Sequence, residues 1–78
     1  MVVQAYILVQ TAVGKAAEVA QAIGAVDGVV RSEDVTGPYD VIVRAEATSV
    51  DELGRLVLAE IQGVTGITRT VTCPVVHM

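Results

Sequence analysis

The chain has 78 residues, enough for one small domain, and a formal net charge of −4 with only five Lys and Arg residues. So few cations argue against direct nucleic-acid binding, because that binding depends on neutralising phosphates. AVILMFWYC residues make up 53% of the chain, yet no apolar run approaches the ~20 residues of a membrane span. No basic segment typical of a signal peptide follows Met1, which predicts a cytoplasmic protein.

The apolar fraction is high for so short a chain. A domain of this size buries only ~60% of the surface that its unfolded chain exposes. Much of the apolar surface would therefore stay in water in a monomer, and large exposed apolar patches usually mark interfaces. We expect an obligate homo-oligomer.

The first half of the chain predicts a strand, a helix and a second strand. Residues 1–11 are mostly β-branched and aliphatic, which is typical of a strand. From Lys15, apolar residues recur at the spacing of one helical face, and Asp27-Gly28 ends this helix. The members of that face are Ala16, Val19, Ala20, Ile23 and Val26. Residues 29–35 form the second predicted strand.

The second half predicts a strand, a helix and a final strand. After the strand at residues 39–47, a capping box opens the helix: the Ser49 hydroxyl accepts from the Glu52 amide, and the Glu52 side chain reaches back. The apolar face of this helix contains Val50, Leu53, Val57, Ile61 and Val64. The last strand covers residues 67–77 and is interrupted at Pro74.

An internal repeat links the two halves. Ile23-x-x-Val26-x-Gly28-Val29-x-Arg31-Ser32 returns as Ile61-x-x-Val64-x-Gly66-Ile67-x-Arg69-Thr70, at an offset of 38 residues (61 − 23). Two such βαβ units side by side predict an α+β, ferredoxin-like β-α-β-β-α-β fold, with a four-stranded antiparallel sheet and both helices on one face. The alternative is a chance similarity between two helix-to-strand turns, since Gly commonly follows a helix.

Alternation along the strands separates two sheet faces. The face predicted to lie under the helices contains Val3, Ala5, Ile7, Val9, Val41 and Val43. The other face contains Val2, Gln4, Tyr6, Leu8, Asp40, Ile42 and Arg44. This second face is too apolar to remain in water, so we expect a symmetric dimer in which sheet packs against sheet.

Residues that carry enzyme chemistry are sparse. His77 is the only histidine and is expected to be a solvent-exposed terminal residue. Cys73, the only cysteine, excludes an internal disulfide, and its place beside Val71 and Val75 predicts a buried, unreactive apolar group. The glycines occur singly, without a phosphate-binding or dinucleotide fingerprint. We expect no enzyme activity, no cofactor and no metal site.

The most distinctive segment is the turn Thr36-Gly37-Pro38-Tyr39-Asp40, which contains one of only two aromatic residues. Gly37 supplies backbone freedom and Pro38 stiffens the turn. Asp40 has two candidate roles: it accepts backbone amides in the turn, or it holds a ligand ammonium or a partner's donor.

Three threonines alternate along the last predicted strand: Thr68, Thr70 and Thr72. They predict either a plain sheet face, because Thr is a good strand former, or a row of hydroxyls that binds a carboxylate or amide.

Together these features resemble the effector-binding half of the Lrp/AsnC transcriptional regulators, called the RAM domain. The motifs that carry the resemblance are Gly28-Val29, Thr36-Gly37-x-Tyr39-Asp40 and Val64-x-Gly66-Ile67-x-Arg69-Thr70-x-Thr72. The resemblance covers essentially all 78 residues as a single domain. It is greatest to stand-alone RAM proteins, because the chain begins directly at the first sheet strand, without the helix-turn-helix domain of regulators that bind DNA.

The resemblance implies sheet-to-sheet dimers that assemble into rings of four or five dimers, an octamer or decamer. It also implies an amino-acid effector between neighbouring dimers, at ligand-binding residues Gly37, Tyr39 and Asp40, with Thr70 and Thr72 as further candidates. The expected function is a non-enzymatic amino-acid-sensing module in the regulation of amino-acid metabolism or transcription. The alternative is an interaction protein that co-assembles with full-length Lrp/AsnC regulators without a ligand.

Overall fold

The predicted order of strands and helices is confirmed by the structure, a computed structural model that describes residues 2–76. Its elements are β1 (Val3–Thr11), α1 (Ala16–Gly24), β2 (Val29–Asp34), β3 (Val41–Ala47), α2 (Val50–Arg55) and β4 (Ile67–Pro74). The α2 helix continues directly into a π-helical segment, Leu56–Ile61, which the sequence pattern did not predict.

The four strands form one antiparallel sheet in the order β2-β3-β1-β4. The first strand therefore lies between the third and the fourth, and the second and fourth strands form the edges. This is the predicted α+β, ferredoxin-like arrangement, with each βαβ half contributing one central and one edge strand.

The hydrophobic core lies between one face of the sheet and the two helices. Alternate residues of β1 are fully buried there, as the strand pattern predicts. The buried core consists of Ala5, Ile7, Val9, Val19, Ala20, Ile23, Val41, Val43, Ala45, Ala47, Leu53, Val57 and Ile61. Because each buried aliphatic side chain stabilises the fold by ~1.5–3 kcal/mol, this layer fixes which face of the sheet remains open. We call the uncovered face the open face.

The two helix-to-strand turns are equivalent in structure as well as in sequence. Gly28 and Gly66 both adopt the left-handed region, with φ of +94° and +103°. In each turn the residue after the glycine donates its amide to the carbonyl three residues earlier, over 3.1 Å at Val29 and 3.5 Å at Ile67. The sequence repeat is therefore accompanied by the same backbone geometry in the two turns.

Some element ends differ from the predicted bounds. β3 begins at Val41 rather than at residue 39, because hydrogen bonds fix the Asp40 backbone in the preceding loop. β4 ends at Pro74, and His77 lies outside the described residues. At the start of α2 the Ser49 hydroxyl accepts from the Glu52 amide over 3.1 Å, as predicted, while the Glu52 carboxylate accepts from the Thr48 hydroxyl.

Two side chains differ from their predicted burial. Val50, the first residue of α2, is 69% exposed. Cys73 is exposed, so the prediction of a buried cysteine is wrong. It lies opposite Tyr6 across the β1–β4 pair, and residues directly opposite each other share a face; that face is the open face.

Candidate ligand-binding site

The loop between β2 and β3, residues 35–40, is tied to the end of β1. The Asp40 amide donates to the Val9 carbonyl over 2.9 Å, and the Asp40 carbonyl accepts from the Val35 amide over 2.8 Å. The Gln10 side-chain amide donates to the Pro38 carbonyl over 3.2 Å. The β2–β3 loop is therefore held at both its ends and near its tip.

The Asp40 carboxylate extends this attachment. Its Oδ2 accepts from the backbone amide of Thr11 over 2.8 Å, at the end of the neighbouring strand. A side-chain oxygen thus takes the place that a main-chain carbonyl would occupy if the β1–β3 ladder continued. A carboxylate has acceptor capacity for about four hydrogen bonds, so the same side chain can also accept from an ammonium group. The structural role predicted for Asp40 was to accept amides of its own turn, whereas the amide it accepts belongs to Thr11, outside the turn; its ligand-binding role stays a prediction.

Gly37 and Tyr39 complete the β2–β3 loop. Gly37 has φ of +145°, and a Cβ added there would meet nothing within 4 Å. Glycine is therefore favoured at this position by the backbone conformation and not by a lack of space for a side chain. Tyr39 is half-buried beside Asp40, so the loop combines a fixed carboxylate with an aromatic ring.

Thr70 and Thr72 lie on the helix side of β4, opposite Val9 and Ile7 of β1. The Gln62 side-chain amide donates to the Thr70 hydroxyl over 2.9 Å. Both threonines line a groove of about 340 Å³ between α2, the π-helical segment and β4, and the exposed Val50 and Leu58 also line it. We call this the α2–β4 groove.

The structure brings the predicted residues together in two groups and not in one. Gly37, Tyr39 and Asp40 lie in the β2–β3 loop, beside the end of β1, while Thr70 and Thr72 lie on the far side of that strand. Neighbouring strands are ~4.8 Å apart, so the β3 and β4 backbones are ~10 Å apart across β1. Within one chain the loop and the groove form separate surfaces.

Sequence reasoning missed the α2–β4 groove. The groove depends on Leu58, which falls off the apolar stripe of the second predicted helix, directly after Leu56 and Val57. An apolar residue on the solvent side of an amphipathic helix was the available signal. The π-helical geometry, with the Gln62 amide donating to the Val57 carbonyl, gave no signal in the residue types, although such segments often occur at functional sites.

Among residues 2–76, no group of three or more His, Cys, Asp and Glu side chains is placed to hold a metal ion. Over the same part of the chain, every helix is too short or too polar to span a membrane.

The family of the chain follows from comparison with known proteins. A family model for the Lrp/AsnC ligand binding domain matches residues 4–78. The chain belongs to this family. An uncharacterized HTH-type transcriptional regulator of Pyrococcus horikoshii is 33% identical over 55 residues, a match that covers 70% of this chain and 37% of the regulator. This Lrp/AsnC chain thus spans little more than a third of the length of the curated relatives it matches.

Solved structures share the Lrp/AsnC fold of this chain. A Thermus thermophilus protein, TTHA0845, superposes with a TM-score of 0.91 at 26% identity, covering 97% of this chain and 95% of that one. A transcriptional regulator of Neisseria meningitidis, solved in complex with L-Met, superposes with a TM-score of 0.83 at 22% identity, covering 96% of this chain and 50% of the regulator.

Proposed function

We propose that this Lrp/AsnC domain is a non-enzymatic effector-binding module that binds a free amino acid between neighbouring dimers and acts in the regulation of amino-acid metabolism or transcription. The observation that carries the proposal is the family match over residues 4–78, combined with a β2–β3 loop that is fixed by hydrogen bonds to β1. The L-Met complex of the Neisseria regulator supports an amino acid as the ligand class.

The chemistry of the two surfaces suits the two parts of an amino acid. The Asp40 carboxylate would accept from the ligand ammonium, a charge-assisted hydrogen bond, while backbone groups beside Gly37 meet the ligand carboxylate. The apolar α2–β4 groove, with Leu58 exposed along it, would accommodate the ligand side chain.

The separation of loop and groove favours a site shared between chains. One chain carries both surfaces on opposite sides of β1, so a single ligand that uses both needs two copies. A ring of four or five sheet-to-sheet dimers places copies side by side in this way. Because a ligand that binds one assembly state preferentially shifts the equilibrium towards it, amino-acid binding would then alter the oligomer.

Isothermal titration calorimetry against the twenty amino acids, with parallel sizing of the oligomer, tests the proposal. We expect one class of apolar amino acid to bind at millimolar concentration or tighter and to shift the size distribution. The Asp40→Asn variant is the matched control: Asn keeps an oxygen acceptor for the Thr11 amide but lacks the charge that holds an ammonium. Absence of binding by every amino acid, with an unchanged oligomer, would overturn the proposal.

A second function is co-assembly with full-length Lrp/AsnC regulators without a ligand. It is supported by the curated relatives, which are HTH-type transcriptional regulators. Co-expression with such a regulator, followed by sizing of the mixed complex, separates the two functions. Asp40→Asn should weaken amino-acid binding by about 10- to 100-fold under the first and leave mixed assembly intact under the second.

A further inference from the structure

The open face of the sheet combines apolar residues with charges of both signs. Across β3, β1 and β4, Ile42 lies beside Leu8, and Leu8 beside Val71. Tyr6 and Ile42 are 41% and 37% exposed. Both line a depression of about 360 Å³ towards β2, together with Val30, Arg31, Glu33, Arg44 and Glu46. Arg44 and Glu46 thus lie with Ile42 on the central strand β3, beside Tyr6 and Leu8 of β1, where a partner that covers the face would remove them from water.

Arg44 is a cation without a matching anion among the described residues of this face. Its Nη1 donates to the Tyr6 hydroxyl over 3.1 Å, and its Cζ lies 5.5 Å from the centre of the Tyr6 ring. Directly opposite on β2 stands Arg31, a like charge. Within residues 2–76 the ion pairs are Lys15–Glu18 and Arg31–Glu33, so no carboxylate of the described chain pairs with Arg44.

Glu46 is the corresponding unmatched anion. Its Oε2 accepts from the Gln4 side-chain amide over 3.1 Å, and it forms no ion pair within the described residues. Glu46 lies two residues along β3 from Arg44, on the same face and ~7 Å away. As far as the structure describes the chain, β3 thus presents an unpaired cation and an unpaired anion side by side on the open face.

We infer that Arg44 of one copy pairs with Glu46 of a second copy, in two equivalent ion pairs about the two-fold axis of the sheet-to-sheet dimer. A two-fold interface presents the same patch on both copies, so each copy contributes one cation and one anion. Covering the face without this pairing would bury an uncompensated guanidinium, which is strongly unfavourable. The pairing rests on the proposed dimer, and it makes that dimer selective for partners with a carboxylate at this place.

The size of the face fits a second copy as the occupant. A standard interface buries ~800 Å² on each partner. The chain exposes 5017 Å² in total and measures 37 × 24 × 17 Å, so one broad side of the molecule suffices for an interface of that extent.

Charge reversal on each side, followed by mixing, tests the pairing. In the Arg44→Glu homodimer, each proposed ion pair becomes a pair of carboxylates. In the Glu46→Arg homodimer, each becomes a pair of guanidinium groups. We expect the dissociation constant of each homodimer, measured by sedimentation equilibrium, to rise at least about tenfold. The equimolar mixture should form the mixed dimer, resolved by native mass spectrometry, with an affinity near that of the wild type, because both ion pairs are then restored, each between a carboxylate of one chain and a guanidinium of the other.

Matched controls come from the exposed Lys15–Glu18 pair at the start of α1. Lys15→Glu and Glu18→Arg change the net charge equally at a remote site, and should leave the dissociation constant within about twofold of the wild type. Circular dichroism confirms that each variant is folded.

Three results would overturn the pairing: a monomeric wild-type chain, an Arg44→Glu dimer as tight as the wild type, or a mixture that forms no preferred mixed dimer. None of these depends on amino-acid binding. Restored mixed dimers in a protein that binds no amino acid would support the pairing and remove the proposed effector. Amino-acid binding by a protein whose dimerisation does not depend on these charges would support the proposed effector and remove the pairing.

Discussion

The β2–β3 loop and the α2–β4 groove differ in what holds them in place. The loop is fixed by hydrogen bonds between Asp40 and β1, and by the hydrogen bond that the Gln10 side chain of β1 donates to the Pro38 carbonyl. Its shape is therefore part of the fold. The groove is lined by side chains such as Leu58, which is 69% exposed and contributes little to the monomer. Changes in the loop should therefore alter stability, whereas an exposed groove residue such as Leu58 can be altered with little effect on stability.

Asp40→Ala should show the largest effect, because it removes both roles at once. The Thr11 amide loses its acceptor, which should lower the free energy of unfolding by ~1–3 kcal/mol. Amino-acid affinity should fall by about 10- to 100-fold, the value of a hydrogen bond to a charged group. Urea denaturation and calorimetry measure the two quantities.

Asp40→Asn separates the two roles, because it should weaken amino-acid binding while largely keeping the stability of the fold. Stability should stay within ~1 kcal/mol of the wild type, since Asn can still accept from the Thr11 amide, while amino-acid affinity should fall as far as in Asp40→Ala. Equal affinity in Asp40→Asn and the wild type would assign Asp40 a structural role alone.

Gly37→Ala should lower the free energy of unfolding by about 1–3 kcal/mol, the cost of a side chain in a backbone conformation that L-residues rarely adopt. A Cβ there meets no atom within 4 Å, so the loss is conformational. Gly54→Ala is the matched control: that position is helical and equally open, and Ala should stabilise the helix by about 0.5–1 kcal/mol. Thermal denaturation of both variants makes the comparison; a Gly37→Ala protein as stable as the wild type would contradict a fixed loop.

Leu58→Ala should leave stability within about 0.5 kcal/mol, because the side chain is an exposed surface residue. Its affinity for apolar amino acids should nevertheless fall by about 3- to 10-fold as the wall of the groove recedes. Val13→Ala, at an exposed position in the β1–α1 connection, should change neither quantity. Calorimetric affinities that are the same for both variants would remove the groove from the site.

Thr70→Val should have the smallest effect. The Gln62 amide loses its acceptor at an exposed position, where such changes usually cost less than ~0.5 kcal/mol. A measurable loss of amino-acid affinity in this variant would assign the Thr70 hydroxyl to the ligand; an unchanged affinity would leave it as part of the groove wall.

The fold was predictable from sequence because its determinants are local or repeated. The 38-residue offset matches two turns whose glycines, Gly28 and Gly66, adopt the same left-handed conformation. Strand alternation also predicted the buried side chains of β1 correctly. Each turn and each alternating strand depends on neighbours a few residues apart, and the repeat shows the same local pattern twice.

The candidate site was less predictable because its contacts join distant residues. The hydrogen bond from the Thr11 amide to the Asp40 carboxylate spans 29 positions, so only the folded sheet places the two together. The exposure of Cys73 depends on its pairing with Tyr6 across two strands. The proposed sharing of the site between chains would add a further step, since its second half would belong to another copy.

A crystal structure of the protein grown with apolar amino acids tests the central claim most directly. We predict an amino acid between two dimers, with its ammonium on Asp40 of one chain and its side chain against the α2–β4 groove of another. A ligand held wholly within one chain, or density only on the open face, would contradict a site shared between dimers.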